Sequence, residues 1–308
     1  MKIFSQLEQF PTDRPIYLTI GSYDGIHVGH QHIISAMVLT AQENNGCAVV
    51  LTFSNHPLTV INPRRGPKLI LTSDEKKQRL SKLGVDAIID LPFTKELAEI
   101  SGSEFSELIK KYLRPREIFV GPDCTFGKNG EGSPELLRKA GLNVSIFPAV
   151  QFDGHAVSST AIRNMIAQGK MNRVAQMLGR AYTLSGIVVD GLKRGRGLGY
   201  PTINVDFPVS KVEPAFGVYV ARVNIAGTLY AGVANYGMSP TIDVNKLRLE
   251  VFIFDFDQMI YGEYVEVQLL KMIRTEAVFD SIADLKAQMR EDVEQAKRYL
   301  QNIQRQQQ

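Results

Sequence analysis

Gly21-Ser22-Tyr23-Asp24-Gly25-Ile26-His27-Val28-Gly29-His30 is a glycine-rich turn between a short apolar run, 16–21, and a segment with helical periodicity. A strand that feeds a helix through such a turn is the opening of an open α/β sheet. Four more apolar runs, at 48–53, 87–91, 117–121 and 144–147, alternate with helical stretches, and this alternation predicts a parallel sheet covered by helices. Thr72-Ser73-Asp74-Glu75 and Ser101-Gly102-Ser103-Glu104 have the form of capping boxes, and Ser133-Pro134 puts proline in a first helical turn.

Farther along, helical patterns at 160–168 and 171–178 are separated by Gly169, and the period then changes to that of strands. Runs at 182–189, 218–225, 229–234, 247–254 and 264–270 are joined by short turns, which predicts a small antiparallel barrel or sandwich. An amphipathic helix over 282–300 follows, and the tail QNIQRQQQ is expected to fray. The chain therefore divides into 1–182 and 183–308, with the boundary in the region 179–185.

Composition narrows the function classes. With 308 residues, 44% hydrophobic and 22% charged, the chain can bury a core in each half. Thirty-five Lys and Arg against 32 Asp and Glu leave a formal charge of +3 with no dense basic run, so nucleic acid is not the expected partner. Cys47 and Cys124 have neither zinc-site nor disulfide-framework spacing, which fits a reducing cytoplasm. No segment has the length and apolarity of a membrane span or a signal sequence, and no membrane association is expected.

The turn at 21–30 leads into a helix N-terminus, whose backbone N–H groups and dipole suit a polyphosphate. His27 and His30 add donors there, although two such histidines also fit a turn they merely cap or pack. Ser158-Ser159-Thr160-Ala161-Ile162-Arg163 offers hydroxyls at a second helix start with an arginine one turn in, which is either an anion site or a plain cap. In the second half, Gly191-Leu192-Lys193-Arg194-Gly195-Arg196-Gly197-Leu198-Gly199 is a basic glycine-rich loop that ends in Tyr200-Pro201-Thr202-Ile203-Asn204. Thr202 and Asn204, two apart on a strand, share a face and can offer oxygen to one Mg2+. Glu250 lies opposite the Leu/Val/Ile face of its strand, a place where a glutamate ordinarily meets solvent.

Taken in order, His27-x-Gly29-His30, Thr52–Pro57, Val120–Gly127 and Ser158–Arg163, then Pro201-Thr202-x-Asn204, Asn235–Thr241, Glu250–Gly262 and Ile273–Phe279 resemble the bacterial bifunctional riboflavin kinase/FMN adenylyltransferases. The resemblance implies a Rossmann-like nucleotidyltransferase domain followed by a riboflavin kinase barrel with a C-terminal helix. It implies that riboflavin and ATP yield FMN and ADP, and that FMN and ATP yield FAD and pyrophosphate, with Mg2+ assisting.

In the first half it assigns His27, His30 and Arg163 to catalysis and Gly21, Asp24, Gly29, His56, Asp123, Ser159 and Thr160 to binding. In the second half it assigns Glu250 to the reacting hydroxyl, Thr202 and Asn204 to metal, and Gly191, Lys193, Gly195, Arg196, Gly199, Pro201, Asn235, Arg274 and Glu276 to binding, the last two in a flavin-side loop. A monomer or a transient oligomer is expected.

Asn55, Tyr23, Cys124, Phe252, Met259 and Val278 depart from common family residues. Rival readings are an enzyme with one active half, or a flavin- or RNA-binding regulator. A class I aminoacyl-tRNA synthetase fails for want of a KMSKS-like loop, and a simple adenylyltransferase leaves the second half unexplained.

Overall fold

The computed structural model describes residues 1–11, 13–190, 199–238 and 247–306. They form two compact units, Met1–Ser159 and Thr160–Gln308.

The first unit is built on strands β1 (Lys2–Phe4), β2 (Ile16–Ile20), β3 (Cys47–Phe53), β4 (Ala87–Leu91), β5 (Glu117–Val120) and β6 (Val144–Ile146). They hydrogen-bond in the order β1-β4-β3-β2-β5-β6, and every pair is parallel. Parallel sheets need cover on both faces, which is why the strands read as unbroken apolar runs. Ile16, Leu18, Val49 and Leu51 pack with Phe105, Ile109 and Leu137 on one face. Tyr17, Ala48 and Val50 pack with Ile34, Met37 and Leu80 on the other.

The covering helices are α1 (Val28–Glu43), α2 (Pro57–Ile61), α3 (Ser73–Lys82), α4 (Lys95–Glu99), α5 (Gly102–Tyr112) and α6 (Pro134–Lys139). Both expected capping boxes form: Thr72 accepts from Glu75 N–H, Ser101 accepts from Glu104 N–H, and each glutamate reaches back to the cap. A two-stranded hairpin, β7 (Gln151–Phe152) and β8 (His155–Ala156), follows β6. The order reverses at β2, whose neighbours are β3 and β5, so the crevice at the carboxyl ends of these strands is the ligand position of this architecture.

Helix α7 (Ser159–Ala167) spans the division, and α8 (Met171–Leu178) packs against the barrel of the second unit. That barrel comprises β9 (Tyr182–Val189), β10 (Thr202–Asp206), β11 (Gly217–Ile225), β12 (Thr228–Met238), β13 (Leu247–Ile253) and β14 (Tyr264–Thr275). It closes in the order β10-β13-β12-β11-β14-β9 with antiparallel pairs, and closure leaves no sheet edge. Helix α9 (Ile282–Gln306) lies on its outside, where Ala296 and Leu300 meet Val220, Phe254, Val233 and Phe252. The helix extends to Gln306, into the segment expected to fray, because Gln and Arg are good helix formers.

Arg274 is placed differently from expectation, on β14 rather than in a loop. Its Nε donates to both Asp292 carboxylate oxygens at 3.0 and 3.1 Å and its Nη2 donates at 2.9 Å, while Nη1 donates to Thr275 O. Asp292 lies on α9 and is buried, so this fork ties the helix to the barrel. Arg274→Ala would leave a buried carboxylate without its cation, a change that costs about 3–5 kcal/mol. The expected result is a lower urea midpoint for the barrel unit, and Arg274→Ala/Asp292→Ala should recover part of that loss.

Candidate active sites

The turn after β2 is held in a conformation that few residues adopt unaided. Tyr23, Gly25 and Ile26 have φ of 50°, 84° and 41°. Glycine accepts this freely, but a β-branched residue there is strained by about 1–3 kcal/mol. Neighbouring bonds impose the shape. The Asp24 carboxylate accepts from Ile70 N–H at 3.0 and 3.1 Å and from Leu71 N–H at 3.1 Å. Gln31 Nε2 donates to Ile26 O at 2.8 Å, and the Tyr23 hydroxyl pairs with Thr19 Oγ1. Asp24 therefore shapes the turn, and Ser159 Oγ joins it by donating to Asp24 O at 2.8 Å.

His27 is the N-cap of α1, its Nδ1 accepting from His30 N–H at 3.3 Å. An accepting Nδ1 places the proton of the neutral ring on Nε2, a donor. The two imidazoles stack at 3.6 Å, and Gly29 permits this packing because a Cβ there would stand 3.2 Å from the His27 ring. His30 also meets Tyr23 edge-on at 5.0 Å, and its buried Nδ1 has no protein partner among the described residues. Burial, with His27 next to it, holds the His30 pKa well below 6.5. His30 is therefore a neutral donor at pH 7 rather than a cation.

That depression carries a sign for stability. Between its folded value and 6.5 the folded chain binds fewer protons at His30 than the unfolded chain does. The stability it contributes is present above 6.5 and is lost as pH falls through that window. His30→Gln should accordingly lose less of its urea midpoint than wild type between about pH 7.5 and about pH 5.5. Equal losses in the two proteins would contradict the assignment.

Lys76, which sequence reasoning missed, lies beneath the same crevice. Its Nζ donates to Phe53 O at 2.6 Å, Thr52 Oγ1 at 3.0 Å and Ser22 O at 3.3 Å, tying together the ends of β2 and β3. Burial lowers its pKa to about 8. The crevice above is lined by Asp24, Phe53, Asn55, His56, Leu71 and Ser73.

Asn55 bonds both the N–H and the carbonyl of Phe93, at 2.8 and 3.0 Å, so the departure at this position staples two loops. His56 caps α2 through Nδ1. Asp123 is exposed beyond β5 with its Oδ1 packed over Gly121, and a Cβ on Gly21 would meet the Tyr23 ring. Burial pushes the Cys124 thiol up to about 12, which suits a packed thiol and not a nucleophile. Thr160 and Arg163 follow Ser159 on α7, in the second compact unit.

In the barrel the site is made by strand register. Asn204 on β10 and Asn235 on β12 both pair with Glu250 on β13, so three polar residues form one rung. Directly opposed residues project to the same face. The buried residues of β13 are Leu249, Val251 and Ile253, so the rung faces outward, where the Glu250 side chain is 35% exposed. Thr202 stands one rung away, beside Phe252 and Val233. Phe252, where the family commonly has histidine, packs with the apolar residues of α9. Met259 and Val278 are exposed.

Gly199 has φ +87° and Pro201 leads into β10. Gly191, Lys193, Gly195 and Arg196 lie outside the described residues. Glu276 is exposed just after β14, and its carboxylate overlies Gly237. Among the described residues no cluster of three or more His, Cys, Asp or Glu could hold a metal ion.

The FAD synthetase family matches residues 9–161 and the riboflavin kinase family matches residues 178–300. A bifunctional riboflavin kinase/FMN adenylyltransferase of Haemophilus influenzae is 35% identical over 288 residues, covering 92% of this chain and 93% of the relative. The Bacillus subtilis protein of the same description is 32% identical over 295 residues, covering 93% of each. A solved structure described as a macrolide-efflux protein from Streptococcus pneumoniae superposes with a TM-score of 0.88 at 33% identity, covering 96% of this chain and 98% of that one. Among the described residues no helix is long and apolar enough to cross a membrane. With both domain families matched in series and relatives similar over nearly the whole length, the chain belongs to the bifunctional riboflavin kinase/FMN adenylyltransferases.

Proposed function

We propose that the enzyme's two activities, riboflavin phosphorylation and FMN adenylylation, use the barrel rung and the first-unit crevice respectively, with the functional division at 1–182 and 183–308. The observation that carries the kinase reading is the rung Asn204–Glu250–Asn235, which gathers one carboxylate and two amides on an accessible face.

Glu250 accepts the proton of the neutral 5′-hydroxyl of riboflavin as that oxygen bonds to the γ-phosphorus of ATP. The bond from γ-phosphorus to the bridging oxygen breaks and ADP departs. Asn235 orients the hydroxyl, and Gly191, Lys193, Gly195, Arg196, Gly199 and Pro201 serve the nucleotide. Thr202 and Asn204 supply neutral oxygens on one face, a donor set that fits Mg2+ and would hold it. When bound, the ion would supply neutralisation of the phosphate charge.

In the first unit an FMN phosphate oxygen attacks the α-phosphorus of a second ATP, and pyrophosphate leaves. The second pKa of a phosphomonoester is about 6, so the nucleophile is already ionised and no strong base is required. His27 Nε2 and His30 donate to phosphate oxygens at the start of α1, and the helix dipole adds positive potential. Arg163 supplies the full charge that neutral His30 does not, with Ser159 and Thr160 as further donors. Gly21 and Gly29 let the phosphates approach the backbone, while Asp24, His56 and Asp123 border the flavin and nucleotide.

The formal charge of +3 with no dense basic run supports a protein that works without nucleic acid, and the enzyme is proposed to act away from membranes, in the cytoplasm, as a monomer or a transient oligomer. Purified protein given riboflavin, ATP and Mg2+ should form FMN first and FAD second, resolved by chromatography. Absence of FMN from that mixture would overturn the bifunctional reading.

A further inference from the structure

The face of the barrel that carries Glu250 also holds Arg248, which has no assigned use, and Glu276, which the family resemblance places on the flavin side. Arg248 lies two residues before Glu250 on β13, on the same face, with its Nη1 4.0 Å from Glu250 Oε1 and its side chain 28% exposed. Its cross-strand partner on β12 is Gly237. A Cβ at residue 237 would overlap Glu276 Oε1, so the Glu276 carboxylate occupies the place of the missing side chain. Gly237 is not among the residues with positive φ, so glycine is needed here for close approach and not for backbone conformation. Opposed residues on one face have Cβ atoms about 4.5–5.5 Å apart, and the carboxylate therefore stands beside Arg248.

Direction along the strand decides what this pair can touch. Thr202 and Asn204, the oxygen donors suited to the metal and phosphates, lie level with Phe252 and Glu250. Arg248 and Glu276 lie on the opposite side of Glu250, away from Thr202. A substrate whose terminal hydroxyl is held at Glu250, with the phosphoryl group arriving from the Thr202 side, must extend its chain toward Arg248. That chain in riboflavin carries three secondary hydroxyls. Each hydroxyl both donates and accepts, and a guanidinium that donates beside a carboxylate that accepts matches such a polyol.

We propose that Arg248, with Glu276 over Gly237, forms the subsite for the ribityl hydroxyls and sets the kinase's preference for a polyol chain. This rests on Glu250 holding the reacting hydroxyl. Arg248 then contributes to substrate binding more than to the chemical step.

The test compares riboflavin with an isoalloxazine carrying a 5-hydroxypentyl chain, which keeps the reacting hydroxyl and lacks the other three. Wild type, Arg248→Ala, Glu276→Gln and Glu250→Ala are assayed for phosphorylation of both, with FMN adenylylation as the folding control. Wild type should prefer riboflavin. Arg248→Ala should raise KM for riboflavin about 10- to 100-fold, the loss expected for hydrogen bonds to a charged group, while kcat/KM for the hydroxypentyl compound stays within about threefold. Glu276→Gln should narrow the preference in the same direction.

Equal losses on both substrates in Arg248→Ala would overturn the proposal and leave Arg248 as a partner of Glu250. An unchanged preference would overturn it as well. Failure of the underlying reading has a separate signature, since Glu250→Ala would then still phosphorylate both compounds at rates near wild type.

Discussion

Glu250→Ala is expected to form no FMN from riboflavin while still converting supplied FMN to FAD at the wild-type rate. A positioned general base contributes about 10²–10⁴ in rate, so kcat for phosphorylation should fall by that factor with a smaller change in KM. The separation of effects follows from placement. Glu250 is on the outer face of the barrel, half-buried, and away from the apolar interior formed by Leu249, Val251 and Tyr236. Its truncation opens no core cavity, and the turn at 21–30 belongs to the other compact unit. Chromatography of the flavins after parallel incubations with riboflavin and with FMN reads both activities in one preparation. Loss of FAD formation from FMN would mean that the variant damages more than the kinase step. Retention of FMN formation within about tenfold of wild type would remove Glu250 as the base.

Local signals carried most of the fold. The run at 182–189 and the helix at 171–178 have the bounds of β9 and α8, and both capping boxes form where Thr72 and Ser101 indicated them. β1 was not legible because three residues at an edge have no periodicity to read. Lys76 was hidden in a run of charged residues. Its spacing of four from buried Leu80 was the available signal, but an ammonium on the buried side becomes intelligible only once Phe53 O and Thr52 Oγ1 are known to wait beneath it.

The outward direction of Glu250 could be read from alternation along its own strand. Its alignment with Asn204 and Asn235 could not, because register between distant strands is set by the closure of the barrel. Arg274 shows the converse limit. Motif position suggested a flavin-side loop, whereas its partner Asp292 lies on a helix eighteen residues later whose docking no local pattern announces.

The His27→Ala/His30→Ala protein should stop at FMN. Each imidazole is a donor at the start of α1 where charge moves from the α-phosphate to the departing pyrophosphate, and loss of one such donor costs about 10²–10³ in kcat. The double loss should be smaller than the product of the single ones, because the rings stack at 3.6 Å and position each other. Cap loss is the competing explanation, since His27 Nδ1 accepts from His30 N–H and its removal weakens α1 by about 1 kcal/mol.

His27→Asn separates the two. Asparagine is among the best N-cap residues and its amide oxygen can take the same N–H, but it does not carry the Nε2 donor to the imidazole's position. If His27 acts on phosphate, His27→Asn keeps the thermal midpoint of wild type and still loses FAD formation by about 10²-fold, with FMN accumulating behind it. If His27 only caps the helix, the asparagine variant makes FAD at nearly the wild-type rate, and the catalytic assignment passes to His30 and Arg163.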